Sequence, residues 1–149
     1  MSTPSPPSDQ SPDLLNQRPL AGIAVHLLAF PTGIFGAGLV YLLASHEFTR
    51  ANARNALNWH LSLTVLLIAT LVVFFLGADE IEVSGGATIE ALSLPAPLNA
   101  LFSVAAIVLG LSLGIAVLLN FVFAVVATAK AIFGTAWKYP FAYPFVGDD

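Results

Sequence analysis

The 149-residue chain is 57% hydrophobic and only 9% charged, and its mean hydropathy is +0.84. Soluble domains carry about a quarter charged residues, so this composition excludes an ordinary water-soluble globule. Nine acidic residues against five lysines and arginines give a net charge of -4, and this balance gives nucleic-acid binding no support. The lack of cysteine excludes disulfides, thiolate catalysis and cysteine metal sites.

The chain begins with a polar segment, residues 1–18, that contains four prolines among serines and acidic residues. This segment lacks the basic start and short apolar core of a signal peptide. Its composition predicts a disordered tail. The remainder reads as a single membrane domain over residues 19–146, followed by an acidic end at 147–149.

Three apolar blocks without a charged residue follow, at about 20–44, 57–78 and 101–129. Each is longer than the roughly 18 residues at which an apolar stretch becomes a candidate membrane span. Because the blocks do not alternate between polar and apolar residues, they favour helices over the strands of a barrel. The sequence therefore predicts an all-α integral membrane protein with three transmembrane helices.

Two of these blocks are irregular. Pro31, with Gly33, Gly36 and Gly38 after it, should bend or loosen the first helix, because proline removes one backbone hydrogen bond. At 1.5 Å per residue the third block would make a helix about 43 Å long, which must protrude, bend or break. The alternative is a helical hairpin that turns near 110–114 and gives a fourth membrane pass.

The charges of the two connections predict which way the protein faces. The first connection, 45–56, contains Arg50 and Arg54, and the C-terminal segment adds Lys130 and Lys138. The second connection, 79–100, contains four acidic residues and no lysine or arginine. Because basic short loops stay in the cytoplasm, three spans predict a cell-membrane protein with its N-terminus outside and its C-terminus cytoplasmic.

The second connection also contains a stretch rich in glycine, serine and proline, at 83–97. These residues are typical of turns. We expect an exposed loop or a turn at the membrane interface.

Six polar side chains lie in or next to the apolar blocks. They are the candidate contacts to another helix or to a partner: His26, Asn55, Asn58, His60, Ser62 and Asn120. Thr49 is the expected N-cap of the second helix. At 100° per residue Asn55, Asn58 and Ser62 share one stripe, with His60 nearly opposite. An unpaired amide in hydrocarbon costs several kcal/mol, so these groups must bond to a neighbouring helix or line a polar path.

Two further sets of residues indicate packing and anchoring. Small residues at four-residue spacing predict a close helix contact, within the chain or with another copy, at Ala106, Gly110 and Gly114. Amphipathic side chains that favour the headgroup zone predict interfacial anchors at Trp59, Trp137, Lys138, Tyr139 and Tyr143. Since a residue before proline disfavours helix, we expect the C-terminal segment to lie extended along the membrane surface.

No reaction is indicated by the sequence. The three histidines do not form a convincing metal set, every carboxylate lies outside the apolar blocks, and no cofactor motif occurs. We therefore expect a non-enzymatic scaffold or subunit of a larger membrane assembly, in contact with lipid and with another copy or another membrane protein. The alternative is a small channel or transporter subunit whose asparagines and Ser62 line a path between copies.

Three landmarks resemble a prokaryotic family of small membrane domains related to the Tic-twenty component of chloroplast protein import. They are His26-Leu27, the run Asn55-Ala56-Leu57-Asn58-Trp59-His60, and Lys130 to Gly134 followed by Trp137 to Pro140. The chain departs from that family's pattern at His60, where a glutamine is common, and in its longer acidic second connection. The resemblance implies a helical integral membrane protein and, distantly, a role in protein translocation.

Overall fold

The structure, a computed structural model, describes residues 18–78, 80–83, 85–90 and 94–147. These residues form four helices and one two-stranded sheet: α1 (Leu20–Thr32), α2 (Ile34–Leu43), α3 (Glu47–Gly77), β1 (Glu80–Val83), β2 (Ala87–Glu90) and α4 (Ala96–Ile132). The mainly helical fold agrees with the prediction. The predicted disordered tail at 1–17 and the end of the acidic segment, 148–149, lie outside the described residues.

The first apolar block is two helices and not one. Gly33 separates α1 from α2 with φ 60 and ψ -134, a conformation that glycine adopts without steric cost. Pro31 lies in the last turn of α1, where its missing amide weakens the helix just before the break. The predicted disruption near Pro31 is therefore a complete interruption of the helix.

Helix α1 runs alongside the first half of α3 in the same direction. Near its start, a Cβ at Gly22 would lie 2.8 Å from the Phe48 ring. One turn later, His26 Nε2 lies 2.9 Å from Asn52 Oδ1. Because later residues of α1 contact later residues of α3, the two helices are parallel and start at the same end of the bundle.

Helix α2 returns toward that end. A Cβ at Gly38 would lie 3.9 Å from Leu57, and the Arg50 guanidinium lies 5.0 Å from the centre of the Tyr41 ring. Later residues of α2 therefore contact earlier residues of α3, so α2 runs antiparallel to α3. Helices α1 and α2 form a helical hairpin that starts and ends at one end of the bundle. A first span over 20–44 is therefore not confirmed.

The two long helices, α3 and α4, have 31 and 37 residues and are long and apolar enough to cross a membrane. At 1.5 Å per residue they measure about 46 and 55 Å, so both are longer than the roughly 30 Å thickness of a hydrocarbon core. Helix α4 continues through Gly110 and Gly114 without interruption. The alternative of a helical hairpin turning there is wrong, because both glycines keep helical backbone angles.

Helix α3 begins earlier than its apolar part. It starts at Glu47, and the His46 side chain caps it by accepting a hydrogen bond from the Phe48 amide at 3.2 Å. Thr49 is therefore not the N-cap; it lies inside the helix and is buried. The expectation that this helix starts before its apolar block is confirmed.

A small antiparallel sheet joins the two long helices. Strand β1 pairs with β2 so that Glu80 is opposite Glu90 and Glu82 is opposite Thr88. Gly85 and Gly86 in the turn have φ of 103 and 79, values that favour glycine. The predicted loop over 83–97 therefore contains a strand, and the fold is not purely helical.

The N-terminal and C-terminal parts of the described chain lie together. Arg18 Nη1 donates to the carbonyl of Ile132 at 3.2 Å, across 114 residues of sequence. The start of α1, the start of α3 and the end of α4 thus share one end of the bundle, and the β-hairpin lies at the other. This arrangement differs from the predicted topology, which separates the two termini across the membrane.

The exterior of the helices is far more apolar than that of a soluble protein. Large apolar side chains point outward along the helices, with Leu42 80% exposed and Leu118 72% exposed. The interior contains polar groups such as His26 and Asn52, which are almost fully buried. An exterior of this kind suits hydrocarbon and not water.

Helices α3 and α4 cross closely at Gly77. A Cβ there would lie 2.6 Å from the backbone nitrogen of Ser103, and Ser103 Oγ donates to the Gly77 carbonyl at 2.7 Å. Gly77→Ala should therefore push the helices apart and cost about 1–3 kcal/mol, as overpacking does. The midpoint of thermal unfolding, Tm, in detergent should fall.

Gly110→Ala is the matched control, because nothing lies within 4 Å of a Cβ at Gly110. Its Tm should stay the same or rise slightly, since alanine favours a helix over glycine by about 0.5–1 kcal/mol. Equal Tm values for the two variants would refute the close crossing at Gly77.

Candidate functional site

The polar stripe of α3 holds the C-terminal segment, which we define as residues 133–147. Asn55 Nδ2 donates to the Trp137 carbonyl at 3.1 Å. Asn58 makes a pair of bonds with Val146: its Nδ2 donates to the carbonyl at 3.0 Å and its Oδ1 accepts from the amide at 2.8 Å. These side chains replace the backbone partners that an irregular segment lacks.

Ser62 continues the stripe one turn further along α3. Its Oγ accepts from the Tyr143 amide at 2.9 Å and donates to the Asn58 carbonyl at 2.8 Å. Asn55, Asn58 and Ser62, which share a stripe in the sequence, therefore all contact the same neighbour. That neighbour is the C-terminal segment and not another helix.

A buried hydrogen-bond chain ties three parts of the protein together. Tyr139 OH lies 2.9 Å from His26 Nδ1, and His26 Nε2 lies 2.9 Å from Asn52 Oδ1. Asn52 Nδ2 donates to the Phe48 carbonyl, so its oxygen accepts from His26 and the histidine proton is on Nε2. Burial raises the pKa of the Tyr139 phenol, which keeps it protonated as the donor to Nδ1.

Aromatic rings pack around this chain. Trp59 stacks on Tyr139 with ring centres 5.9 Å apart and meets Phe123 edge-on at 4.9 Å. Its Nε1 donates to Asn120 Oδ1 at 2.8 Å. Trp137 closes the cluster against Phe123. The deep asparagine of α4 thus has its partner inside the chain.

The residues predicted as interfacial anchors divide into two groups. Trp59 and Tyr139 lie in the core, with exposed fractions of 3% and 6%, because their polar atoms bond to Asn120 and His26. Trp137 is half-buried, whereas Lys138 and Tyr143 are exposed. The C-terminal segment therefore packs on the helices and does not simply lie along the surface.

His60 lies apart from this cluster. It is buried at 7% exposure beside the α1–α2 break, and its Nδ1 is the nearest atom to a Cβ built on Gly33, at 3.9 Å. It therefore belongs to the tip of the helical hairpin, on a different face of α3 from Asn58.

The small residues of α4 have no close neighbour of their own chain over much of their length. Nothing within the described residues lies within 4 Å of a Cβ at Gly110 or Gly114, while Ala106 lies near Gly77 in a shallow groove. A contact of this face with a second copy stays a prediction.

Sequence reasoning missed Asn52 and Arg18. Asn52 is fully buried and central to the hydrogen-bond chain. Its spacing of three residues from Asn55 was the available signal, because residues three apart are neighbours on a helix surface. Arg18 donates to the Ile132 carbonyl at the end of α4, a contact that no local pattern indicates.

Chemically, the cluster is a set of mutually satisfied donors and acceptors. No buried side-chain nitrogen or oxygen in the described part of the chain lacks a partner. Over the same ranges, no group of three histidine, aspartate or glutamate side chains is placed to hold a metal ion. The arrangement fixes the C-terminal segment and the helical hairpin against α3 and α4.

Residues 17–146 match the model of the MamF/MmsF family, described as the magnetosome magnetite crystal formation protein family. No curated protein and no solved structure is detectably similar to the chain.

This match overturns the resemblance to the Tic-twenty-like family. The Asn55 to His60 element, one of the three landmarks of that resemblance, holds the C-terminal segment in this structure. Membership also implies a small membrane protein involved in magnetosome formation, in agreement with the apolar helices. Since the match covers nearly all of the 149 residues, the chain belongs to the magnetosome magnetite crystal formation protein family.

Proposed function

We propose that this protein is a non-enzymatic component of the magnetosome membrane that presents its acidic β-hairpin to the compartment in which magnetite forms. Helices α3 and α4 cross the membrane, and the α1–α2 hairpin enters and leaves it from the cytoplasmic side. The family description names the process, which is the formation of magnetite crystals in magnetosomes. The separation of charge between the two ends of the bundle supports the orientation.

All five basic residues belong to one end of the bundle: Arg18, Arg50, Arg54, Lys130 and Lys138. Arg18 contacts the end of α4, and Lys130 is in the last turn of that helix. Arg54 Nη1 lies 3.5 Å from the Gly147 carbonyl. Because lysine and arginine favour the cytoplasmic side, this end faces the cytoplasm, together with the start of α1 and the end of α4.

The opposite end is acidic. The connection between α3 and α4 contains Asp79, Glu80, Glu82 and Glu90 and no basic residue. Glu80 and Glu82 are exposed, and Glu80 is paired with Glu90 across the sheet. Carboxylate oxygens are good ligands for hard metal ions. The hairpin is therefore suited to contact iron ions or an iron-bearing crystal surface.

The scaffold interpretation is favoured over a channel. The side chains that would line a path, Asn55, Asn58 and Ser62, are bonded to the C-terminal segment. Asn120 is bonded to Trp59. A polar path between copies would first have to break these contacts.

Neutralising the hairpin tests this function. In magnetosome-forming cells that carry the variant as their only copy, Glu80→Gln with Glu82→Gln should change the size distribution of the magnetite crystals. The reason is that two of the carboxylates offered to iron are lost while the fold is kept. Electron microscopy measures the crystals, and immunoblotting of magnetosome membranes checks the amount of protein.

Glu47→Gln is the matched control, since Glu47 is also exposed but starts α3 at the basic end. It should leave the crystals unchanged. Unchanged crystals in the double variant at normal protein levels would contradict the proposal, as would an equal change from Glu47→Gln.

A further inference from the structure

The bundle is not equally wide along its length. At its basic end four helices lie together, because α1 packs against both long helices and α2 packs against α3. The turn between α1 and α2 lies beside His60, whose Nδ1 is 3.9 Å from a Cβ built on Gly33. From His60 to Gly77, α3 continues for about 26 Å at 1.5 Å per residue. Over this distance α4 is its only helical neighbour among the described residues.

The C-terminal segment adds to the wide half. Val146 bonds to Asn58, and the Tyr143 amide bonds to Ser62, so neither contact lies beyond the middle of α3. The β-hairpin does not widen the other half, because its strands pair with each other and make few contacts with the helices. The described part of the chain is therefore a wedge, wide at the basic end and narrow at the acidic end.

The wide half has the depth of one leaflet. Helix α1 has 13 residues and is thus about 20 Å long. One leaflet of a bilayer has a hydrocarbon depth of roughly 15 Å and a headgroup layer of about 5–8 Å. The outer surface of α2 is apolar from the turn to its end, with Phe35 81% exposed and Leu42 80% exposed. The α1–α2 hairpin therefore displaces lipid from the leaflet at the basic end.

The added width can be expressed as an area. A helix with its side chains is about 10–12 Å across, so its cross-section is about 80–110 Å². Helices α1 and α2 together thus add on the order of 200 Å² to one leaflet. Extra area in one leaflet causes least strain where that leaflet is expanded, which is the convex side of a curved membrane. Helices inserted into a single leaflet are sensitive to curvature for this reason.

We infer that the protein recognises membrane curvature and prefers membranes in which its basic end lies on the convex side. The preference rests on the shape of the bundle alone. Its consequence in the cell rests on the proposed orientation, because the cytoplasmic leaflet around a closed compartment is the convex one. Curvature then concentrates the protein in the membrane that encloses the magnetite-forming compartment.

Thin tethers pulled outward from giant vesicles test this preference, because the full-length protein diffuses between the tether and the nearly flat vesicle. Two single-cysteine variants are used: Thr135→Cys at the basic end and Thr88→Cys in the β-hairpin. Both side chains are exposed, and the parent chain has no cysteine. A membrane-impermeant fluorescent maleimide labels only molecules whose cysteine faces outward, so each variant reports one orientation.

The density of labelled protein is compared with that of a lipid dye. Molecules labelled at Thr135→Cys have their basic end on the convex side and should be enriched several-fold in the tether. Molecules labelled at Thr88→Cys should be depleted by a similar factor. Equal densities on tether and vesicle, or the same change for both orientations, would overturn the proposal.

Making the wide half thinner should reduce the enrichment. Phe35→Ala, Leu39→Ala and Leu42→Ala together shorten three outward side chains of α2, which are 58–81% exposed. Because these side chains do not lie in the core, the helices should stay folded. Labelled at the basic end, this triple variant should be less enriched in the tether than the parent protein.

The matched control shortens three outward side chains of α4 in the narrow half, which are 63–66% exposed. They are changed together as Leu101→Ala, Ile107→Ala and Leu111→Ala. This control leaves the wide half unchanged, so its enrichment should equal or exceed that of the parent protein. An equal loss of enrichment in both triple variants would contradict the wedge.

The tether assay and the crystal assay can fail separately. Tethers report the orientation of the protein relative to the vesicle, without iron and without reference to the cytoplasm. A lack of sorting overturns the curvature preference and leaves the role of the β-hairpin intact. Unchanged crystals with Glu80→Gln and Glu82→Gln contradict that role and leave the curvature preference intact.

Discussion

Trp59→Ala should destabilise the protein by about 3–5 kcal/mol, the range expected for removing a buried tryptophan. Trp59 is 3% exposed and contacts the rings of Phe123 and Tyr139. Its loss also leaves Asn120 Oδ1 without the indole donor. Because Tyr139 belongs to the C-terminal segment, the variant should release that segment from α3 as well as lower the Tm.

Trp137 reports that release. The chain has two tryptophans, so Trp59→Ala leaves Trp137 as the only indole. Its fluorescence should be quenched more strongly by acrylamide as the segment becomes accessible, and limited proteolysis should cut within 133–147.

Phe35→Ala is the control, because Phe35 is a large aromatic residue on the hairpin that is 81% exposed. It should change the free energy of unfolding by less than about 0.5 kcal/mol, as exposed substitutions do, so the Tm should stay nearly the same. A Trp59→Ala protein with the Tm of the Phe35→Ala protein would rule out the aromatic cluster as the support of the C-terminal segment.

Much of the fold could be predicted from the sequence because hydrocarbon imposes strict requirements on the backbone. Long uncharged apolar blocks indicate membrane helices, and Pro31 followed by Gly33 indicates a disrupted helix. The direction of the chain after Gly33 could not be predicted. It depends on the packing of Gly22 against Phe48 and of Gly38 near Leu57, which are contacts distant in sequence.

The predicted topology depends on whether the first apolar block is a span. With three spans, the chain must place its two ends on opposite sides, and Arg18 becomes an exception to the distribution of basic residues. With a helical hairpin in place of the first span, Arg18 lies at the same end of the bundle as the other four basic residues. There it donates to the Ile132 carbonyl. The same charge pattern therefore leads to different topologies, depending on the number of spans.

The candidate site, too, could be predicted only in part from the sequence. Helical periodicity correctly grouped Asn55, Asn58 and Ser62 on one stripe, because a helix fixes that relation locally. Their partner, the backbone of the C-terminal segment, is more than 80 residues away in sequence and has no local signature. Tyr139 was predicted at the membrane interface because tyrosine and tryptophan generally prefer it. In the structure Tyr139 is in the core, where its hydroxyl donates to His26 Nδ1.

Single-cysteine labelling tests the central claim most directly, because the parent chain has no cysteine. Three positions should lie on the cytoplasmic side: Leu20→Cys at the exposed start of α1, Ser45→Cys between α2 and α3, and Thr135→Cys after α4. Thr88→Cys in the exposed β-hairpin should lie on the other side. Sealed vesicles of known orientation are treated with a membrane-impermeant maleimide, before and after permeabilisation.

The two topologies differ at Leu20, the first residue of α1. The helical hairpin places it on the same side as Ser45 and Thr135, so all three should be labelled together and Thr88 should show the opposite accessibility. A first span would place Leu20 with Thr88. Labelling of Leu20→Cys from the same side as Thr88→Cys would contradict the helical hairpin, whereas labelling from the side of Ser45→Cys and Thr135→Cys is the expected result.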